Sequence, residues 1–246
     1  MDERFHTFQA DVEEWHWWYS VRREILDKLL APLPLAPSDG RVRPRLLDLG
    51  CGTGGASLVL HRYGDAVAFD RVHGALHLAP DRPYAHRVVG AADRPLPFAD
   101  ASFDGAVALD VLEHLDDDRA AVGELGRVLR PGGHLVVFVP AFRMLWGYND
   151  EYSHHRRRYT KHELVDVVGS GPFAIREQGY FNAALFVPTL AARLLQRLLP
   201  DSTKGMEHAG KPGLLNDLLT LAFRAELPAL PLPFGTSAYV VAERIR

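Results

Sequence analysis

Two stretches and one lone acid in this chain have residue types and spacing that could do chemistry. LLDLGCGTGG (46–55) crowds glycines around Asp48 and Cys51, and Asp70 closes the apolar run AVAFD about twenty residues past Gly50. SHHRRRYT (153–160) sets His154 and His155 against Arg156, Arg157, Arg158 and Tyr159. Glycines after a short apolar run let backbone N–H groups approach a ligand closely. An acid at the end of the following strand suits a ribose diol. Imidazole suits proton removal near neutral pH, and guanidinium holds carboxylate or phosphate in bidentate fashion.

Gly50, Gly52 and Gly55 match the dinucleotide fingerprint, but two details disfavour a diphosphate. Asp48 lies on the strand just before the first glycine and would repel phosphate while favouring a cation. Gly54 adds a glycine that the dinucleotide pattern does not need, as suits a loop pressed against a small ligand. S-adenosylmethionine meets both conditions: an adenosine for Asp70, no phosphate, and a cationic ammonium and sulfonium. Purely structural roles compete with these, Asp48 as a brace for the loop and Asp70 as a strand-end cap.

The elements that must position these residues alternate along the chain. Short apolar strands at RLLDLG, AVAFD, YAHRVVG, FDGAVALD and HLVVFVP are separated by helical runs at ASLVLHRY, RVHGALHLA and DRAAVGELGRVLR. That alternation predicts an α/β fold, a mostly parallel sheet with helices on both faces. QADVEEWHWWYSVRREILDKLLAPL predicts one helix before the core, with Val21, Ile25 and Leu29 on one face, ending in a proline-rich linker. Strands near 173–180 and 236–242 bring the count to seven, with two apolar helices over 182–226 inserted between them. The expected divisions are 1–40 as helical cap and linker, 41–180 as cofactor-binding core, 181–234 as helical insertion and 235–246 as the last core strand.

LLDLGCGTGG, VAFD, PLPFADASFDGAVALDVLEHL and ELGRVLRPGGHLVVFVP, in this order and spacing over residues 45–140, resemble the class I S-adenosylmethionine-dependent methyltransferases. The likeness is to the broad group that contains the ubiquinone-biosynthesis methyltransferases. WWYSVRREIL, NDEYSHHRRRYTKHEL and LPFGTSAYVVAE resemble a bacterial subgroup whose substrates are unassigned. The resemblance implies a doubly wound, seven-stranded Rossmann-like sheet. It implies that Asp48, Gly50, Cys51, Gly52 and Gly54 line the methionine part of the cofactor, that Asp70 holds the ribose and that Arg71 flanks the adenine. Asp110 and Val111 would border the sulfonium. Relatives carry an acid where this chain has Ala92, so Asp93 takes the adenine amino group after a one-residue shift.

Such an enzyme moves a methyl group to an oxygen or nitrogen of a small molecule: a specialised metabolite, a sugar or a lipid-linked intermediate. The loop after the fifth strand leaves from the ligand-binding edge of the sheet. His155 is the first candidate base there, with Tyr159 and His114 behind it, and Arg157 and Arg158 as holders of an acceptor anion. The arginines could instead pair with acids such as Asp150. Thr160 and Glu163 have capping-box spacing, with Tyr159 and Leu164 where a hydrophobic staple would sit. Trp17, Trp18, Arg22 and Trp146 complete the candidate acceptor site, and packing of the aromatics on the core is the plainer reading.

A formal charge of −3 in 246 residues argues against nucleic acid as partner, and no metal is expected because no familiar ligand spacing is complete. The single cysteine, a start MDERFHTF without a signal pattern and the lack of an uninterrupted apolar span point to a cytoplasmic protein. Thr189, Arg193, Gln196 and Arg197 form a narrow polar stripe in the insertion, leaving a broad apolar face for core packing, a homodimer, an acceptor roof or a lipid surface. The alternatives to methyl transfer are a non-methylating binder of S-adenosylmethionine (a cyclase or sensor), a nucleic-acid methyltransferase and, last, an NAD dehydrogenase.

Overall fold

The computed structural model describes residues 3–37, 40–78, 81–198 and 213–245. Two helices open the chain, α1 (Glu3–Val12) and α2 (Trp17–Leu30). Then follow β1 (Arg45–Leu49), α3 (Ser57–Leu60), β2 (Asp65–Asp70), α4 (Ala75–Leu78), β3 (His86–Val89), β4 (Phe103–Leu109), α5 (Asp118–Val128) and β5 (Leu129–Pro140). The rest is α6 (Tyr148–Tyr152), α7 (Lys161–Val168), β6 (Phe173–Phe181), α8 (Phe186–Leu198), α9 (Leu214–Glu226) and β7 (Ser237–Arg244). The strands form one seven-stranded sheet in the order β3-β2-β1-β4-β5-β7-β6. β7 runs antiparallel to both β5 and β6, and the other pairs are parallel, as the alternation of strands and helices implied.

Burial explains the strand composition. Leu47, Leu49, Ala106, Leu135 and Val137 face one core with α5 and α7, whereas Leu46, Val107, Val136 and Phe138 face a second core with α2, where Val21, Ile25 and Leu29 are buried. The sheet order reverses between β1 and β4, the switch point where open sheets bind ligands beyond their strand ends. The glycine loop leaves β1 at that point, and Asp110 follows β4 beside it.

The N-terminal segment departs from the single helix expected of it. Arg23 donates to the carbonyls of Glu13 (2.6 Å) and Glu14 (3.1 Å), which the next helical turn would otherwise have used. His16 caps the new helix, its Nδ1 accepting from the Trp18 N–H at 3.2 Å. The helices expected after β1 and β2 shrink to four residues each. In the second, Asp70 accepts the Val72 N–H at 2.8 Å and holds a turn, so the helix starts only after Gly74.

α8 and α9 lie between β6 and β7 in sequence, as the insertion was expected to. α9 packs on α2 through Phe223 stacked on Trp17 (4.9 Å) and through Asn216, which accepts from the Trp17 N–H at 2.8 Å. The polar stripe of α8 points inward: Arg193 donates to the Leu145 carbonyl at 3.3 Å and to Gln196 at 2.7 Å. The apolar side is therefore outward, and Leu194, Leu195, Leu215, Leu218 and Leu221 are each at least half exposed, so core packing does not account for them. The polar segment expected to join the two helices, and the Arg197 side chain, lie outside the described residues.

Candidate active site

Backbone conformation shapes the glycine loop. Gly50, Gly52 and Gly54 have φ of 69°, 54° and 88°, in the left-handed region that side chains disfavour. A Cβ on Gly50 would also run into Cγ2 of Val111, so the loop and the end of β4 touch only because Gly50 has no side chain. Gly50 donates to the Phe69 carbonyl at 2.7 Å, and Gly52 donates to Asp70 Oδ2 at 2.9 Å. Asp70, buried at the end of β2, thus braces the loop with one oxygen and its own turn with the other.

Asp48 is buried beneath the loop and accepts from the Tyr84 hydroxyl. Burial, opposed by that hydrogen bond and reinforced by Asp70 and Glu13, raises its carboxyl to about 7. A cationic ligand group beside it would restore the ionised form. Cys51 is buried, and burial first, then Asp48 and Asp70, push its thiol far up, which suits a lining residue and not a nucleophile. Left-handed glycines, a main-chain-braced acid and a buried carboxylate that needs a cation fit S-adenosylmethionine, with Asp48, Gly50, Cys51, Gly52, Gly54 and Asp70 as the residues that would hold it.

Sequence reasoning missed the contribution of α1. Glu13 is buried; it accepts from Thr53 Oγ1 at 2.8 Å and from the Gly55 N–H at 3.1 Å, and it pairs with Arg82 at 3.3 Å. The first helix is therefore bonded onto the glycine loop. EEW beside a helical run carried no signal of this, because the acid reaches its partners only through the chain reversal at 13–16.

On the other side of the switch point Asp110 has φ of 57° and pairs with Arg22, whose guanidinium lies 5.0 Å from the Trp18 ring centre. Arg22 and Trp18 thus reach the strand end next to Val111. Trp17 does not: it is stacked on Phe223, as the packing reading held. Arg71 and Asp93 are exposed in the turns after β2 and β3, and Trp146 is half-buried in the turn before α6.

The loop after β5 brings His155 to His114, with ring centres 4.7 Å apart and near-perpendicular planes. His155 Nδ1 lies 2.9 Å from Oδ1 of Asp150, which is fully buried. Burial would raise the Asp150 carboxyl, but its bonds to His155 and Arg158 prevail and hold it at about 2. Asp150 is thus an anion that fixes His155 with Nδ1 protonated and Nε2 free. Burial and then His155 lower the His114 imidazole to about 4, leaving it neutral at physiological pH.

Three expectations for this loop need correction. Arg157 donates to Asp118 (3.1 Å) and to the carbonyls of Leu115 (3.2 Å) and Asp116 (2.9 Å), clamping the start of α5. Arg158 donates to Asp150 (2.6 Å) and to the Ala141 carbonyl (3.0 Å), the pairing with Asp150 that the sequence left open. Neither guanidinium is presented to an acceptor anion. Tyr159 is buried in the core with Leu164, and its hydroxyl donates to Asp118 at 2.8 Å; burial and Asp118 drive its ionisation well up, so it is no base. Thr160 and Glu163 do form the capping box.

A methyltransferase domain family matches residues 47–137. The 27-O-demethylrifamycin SV methyltransferase of Amycolatopsis mediterranei is 36% identical over 196 residues, 75% of this chain and 67% of that protein. The O-methyltransferase rstn1 of Aspergillus nomiae is 40% identical over 101 residues, 38% of this chain and 45% of that protein. This and the next two fungal relatives are matched over less than half their own length, 45%, 38% and 39%. Among solved structures, the (4+2)-cyclase SpnF superposes with a TM-score of 0.60 at 22% identity, over 93% of this chain and 82% of that one, which shows the shared fold. With its switch-point glycine loop and a relative matched over two thirds of its length, the chain belongs to the class I S-adenosylmethionine-dependent methyltransferases.

Proposed function

We propose that this protein methylates an oxygen on a small molecule, with His155 as the proton acceptor. The observation that carries the reading is the Asp150–His155 pair: a buried carboxylate 2.9 Å from Nδ1 leaves Nε2 as the basic nitrogen, in a loop that leaves the ligand-binding edge of the sheet. Bound S-adenosylmethionine supplies an electrophilic methyl group on a sulfonium. Asp70 holds the ribose, Asp48 and the glycine loop take the methionine end with its ammonium, and Val111 with Asp110 borders the methyl. Arg22 and Trp18 line the far side, and Arg22 keeps Asp110 paired. Oxygen is favoured over nitrogen because the relatives reported above are named as O-methyltransferases or act on an O-demethyl compound.

The acceptor is read as a small molecule and not nucleic acid, in keeping with the net charge of −3. No described helix is long and apolar enough to cross a membrane, and a cytoplasmic site of action fits the free, buried Cys51. The outward leucines of α8 and α9 suit a second copy of the chain.

Label transfer tests this reading. The protein is incubated with methyl-labelled S-adenosylmethionine and cell extract, and the small-molecule, lipid, protein and nucleic-acid fractions are counted. Label in small molecules that is lost in Asp70→Ala and reduced in His155→Ala is expected. Label in nucleic acid sinks the proposal. Cofactor binding with no label in any fraction favours the non-methylating role, on the same fold as a cyclase.

A further inference from the structure

Behind the histidine pair stands a group that the methyl-transfer reading does not use. Glu113 follows β4 by four residues, is fully buried, and has no hydrogen-bond partner on either carboxylate oxygen. Its position is fixed by the main chain, since the Arg156 N–H donates to the Glu113 carbonyl at 2.8 Å. Burial of an unpartnered carboxyl is costly. Arg22 and Arg158 act on it through charge alone, without bonding to it.

One ligand atom each from Glu113, His114 and His155 lies within 4.8 Å of the others. We propose that these three residues form a binding site for a first-row divalent transition-metal cation. Two imidazoles and one carboxylate are a donor set that such ions take, with coordination positions left open for an acceptor oxygen. The surroundings also resemble a metal site. The bond from Asp150 to His155 Nδ1 leaves Nε2 as the ligand atom, the outer-shell carboxylate arrangement usual for metal-bound histidine. One nitrogen of His114 is engaged by the His154 main chain, where φ is 56°, which leaves the other as its ligand atom. Donor atoms about 2.1 Å from a tetrahedral ion stand about 3.4 Å apart, so binding draws the donor atoms of the three side chains together by up to about 1.4 Å. The ion would supply the positive charge that the buried carboxyl lacks. Oxygen-seeking Mg²⁺ and Ca²⁺ suit two imidazoles less well.

This cluster is local: all three ligands come from the two segments 113–114 and 155, neither of which holds the adenosine end of the cofactor. The binding claim therefore does not depend on the methyl-transfer reading; only its consequence does. With a cation in place, His155 Nε2 would be a ligand; the cation would lower the acceptor hydroxyl's pKa, and the proton would pass to solvent water as the oxygen–methyl bond forms and the sulfonium–methyl bond breaks.

The test is titration of the metal-stripped full chain with Co²⁺, followed by the visible d–d bands and by competition with Zn²⁺. One Co²⁺ per chain, displaced by Zn²⁺, is expected. Glu113→Gln and His114→Ala should each weaken binding by at least about 100-fold, and Asp150→Asn, which alters only the orienting group, by about 10–100-fold. Folding of each variant is checked by circular dichroism; Glu113→Gln keeps the shape and removes only the charge, and His114→Ala stands in for it if it misfolds. His77→Ala, at the exposed His73–His77 pair (4.5 Å between ring centres), should leave the bands unchanged. Asp70→Ala should bind Co²⁺ as the parent does while binding S-adenosylhomocysteine about 10–100-fold more weakly, which separates this site from the cofactor site. No bands, bands that survive Glu113→Gln or His114→Ala, or bands lost in His77→Ala overturn the proposal.

Discussion

The two sides of the sheet's switch point are built by different means. On the β1–β2 side the shape is set by the main chain: Gly50, Gly52 and Gly54 take left-handed φ, and both oxygens of Asp70 accept backbone N–H groups. On the β4–β5 side the shape is set by side chains holding one another. Asp150 gathers His155, Arg158 and the Gly147 N–H, and Asp118 gathers Arg157 and Tyr159. A main-chain cradle grips a cofactor common to many enzymes and leaves the rest of the sequence free to vary. A side-chain network fixes a few free atoms for one acceptor, and each member it loses strands a buried partner.

The largest expected effect breaks the second side. Asp150→Ala removes the anion from a fully buried site and leaves Arg158, whose side chain is 11% exposed, without its partner. Deleting one member of a buried pair costs about 3–5 kcal/mol, to be read from the urea midpoint at constant m. Asp70→Ala should cost less stability while weakening cofactor binding by about 10–100-fold, the worth of charge-assisted hydrogen bonds, by calorimetry. Equal stability losses for the two would erase the distinction.

Asp48 tests whether the main-chain side hides a titratable element. Its folded carboxyl is raised to about 7, against 3.8 as the ordinary value. Between these pH values the folded group keeps its proton while the unfolded chain loses one. The contribution of Asp48 is therefore fully present below the lower value and is lost as pH rises through the upper one, by up to about 4 kcal/mol. Asp48→Asn should become more stable than the parent as pH rises from 4 to 8, in parallel urea melts. Cofactor affinity of the parent should rise through pH 7, where the carboxylate forms, and that rise should vanish in the variant. A parent melt that is flat over this range would show Asp48 ionised throughout.

Two glycines sharpen the comparison with opposite signs. Gly50→Ala meets Val111 and a φ of 69°, and left-handed strain plus overpacking sum to about 2–5 kcal/mol of lost stability. Gly123 lies in α5 with nothing within 4 Å of an added Cβ, so Gly123→Ala should gain about 0.5–1 kcal/mol. Thermal melts of the pair read both signs.

What was legible in the sequence follows the same division. The cradle was legible because glycine spacing and an acid at a strand end dictate backbone chemistry directly, and the strand alternation gave the sheet. The network was not. The pairing of Arg158 with Asp150, eight residues away, was one of two readings the sequence left open, whereas Asp118 becomes a neighbour of Arg157 only when the loop after β5 folds back on α5. Glu113 next to His114 was in plain view, but the burial that makes it unusual is a tertiary property. Glu13 reaches Thr53 across forty positions of sequence through a chain reversal that no local pattern announced. The α8 stripe left direction open: polar residues at helical spacing say which side differs, not which side faces water.

The smallest expected effect on the fold comes from that inverted helix pair. Leu218 and Leu221 are 53% and 66% exposed on α9, while Phe223 on the same helix is buried against Trp17. Substituting the outward pair removes no core contact, so Leu218→Glu with Leu221→Glu should shift the urea midpoint by no more than about 0.5 kcal/mol. The same change places two charges in any contact between copies through this face, and desolvating them there is costly. Sedimentation over a concentration series should then show self-association in the parent and a monomer in the double variant. Identical sedimentation of the two proteins would remove the homodimer from this face while leaving the fold argument intact, because burial of Phe223, and not of the leucines, anchors α9 to α2.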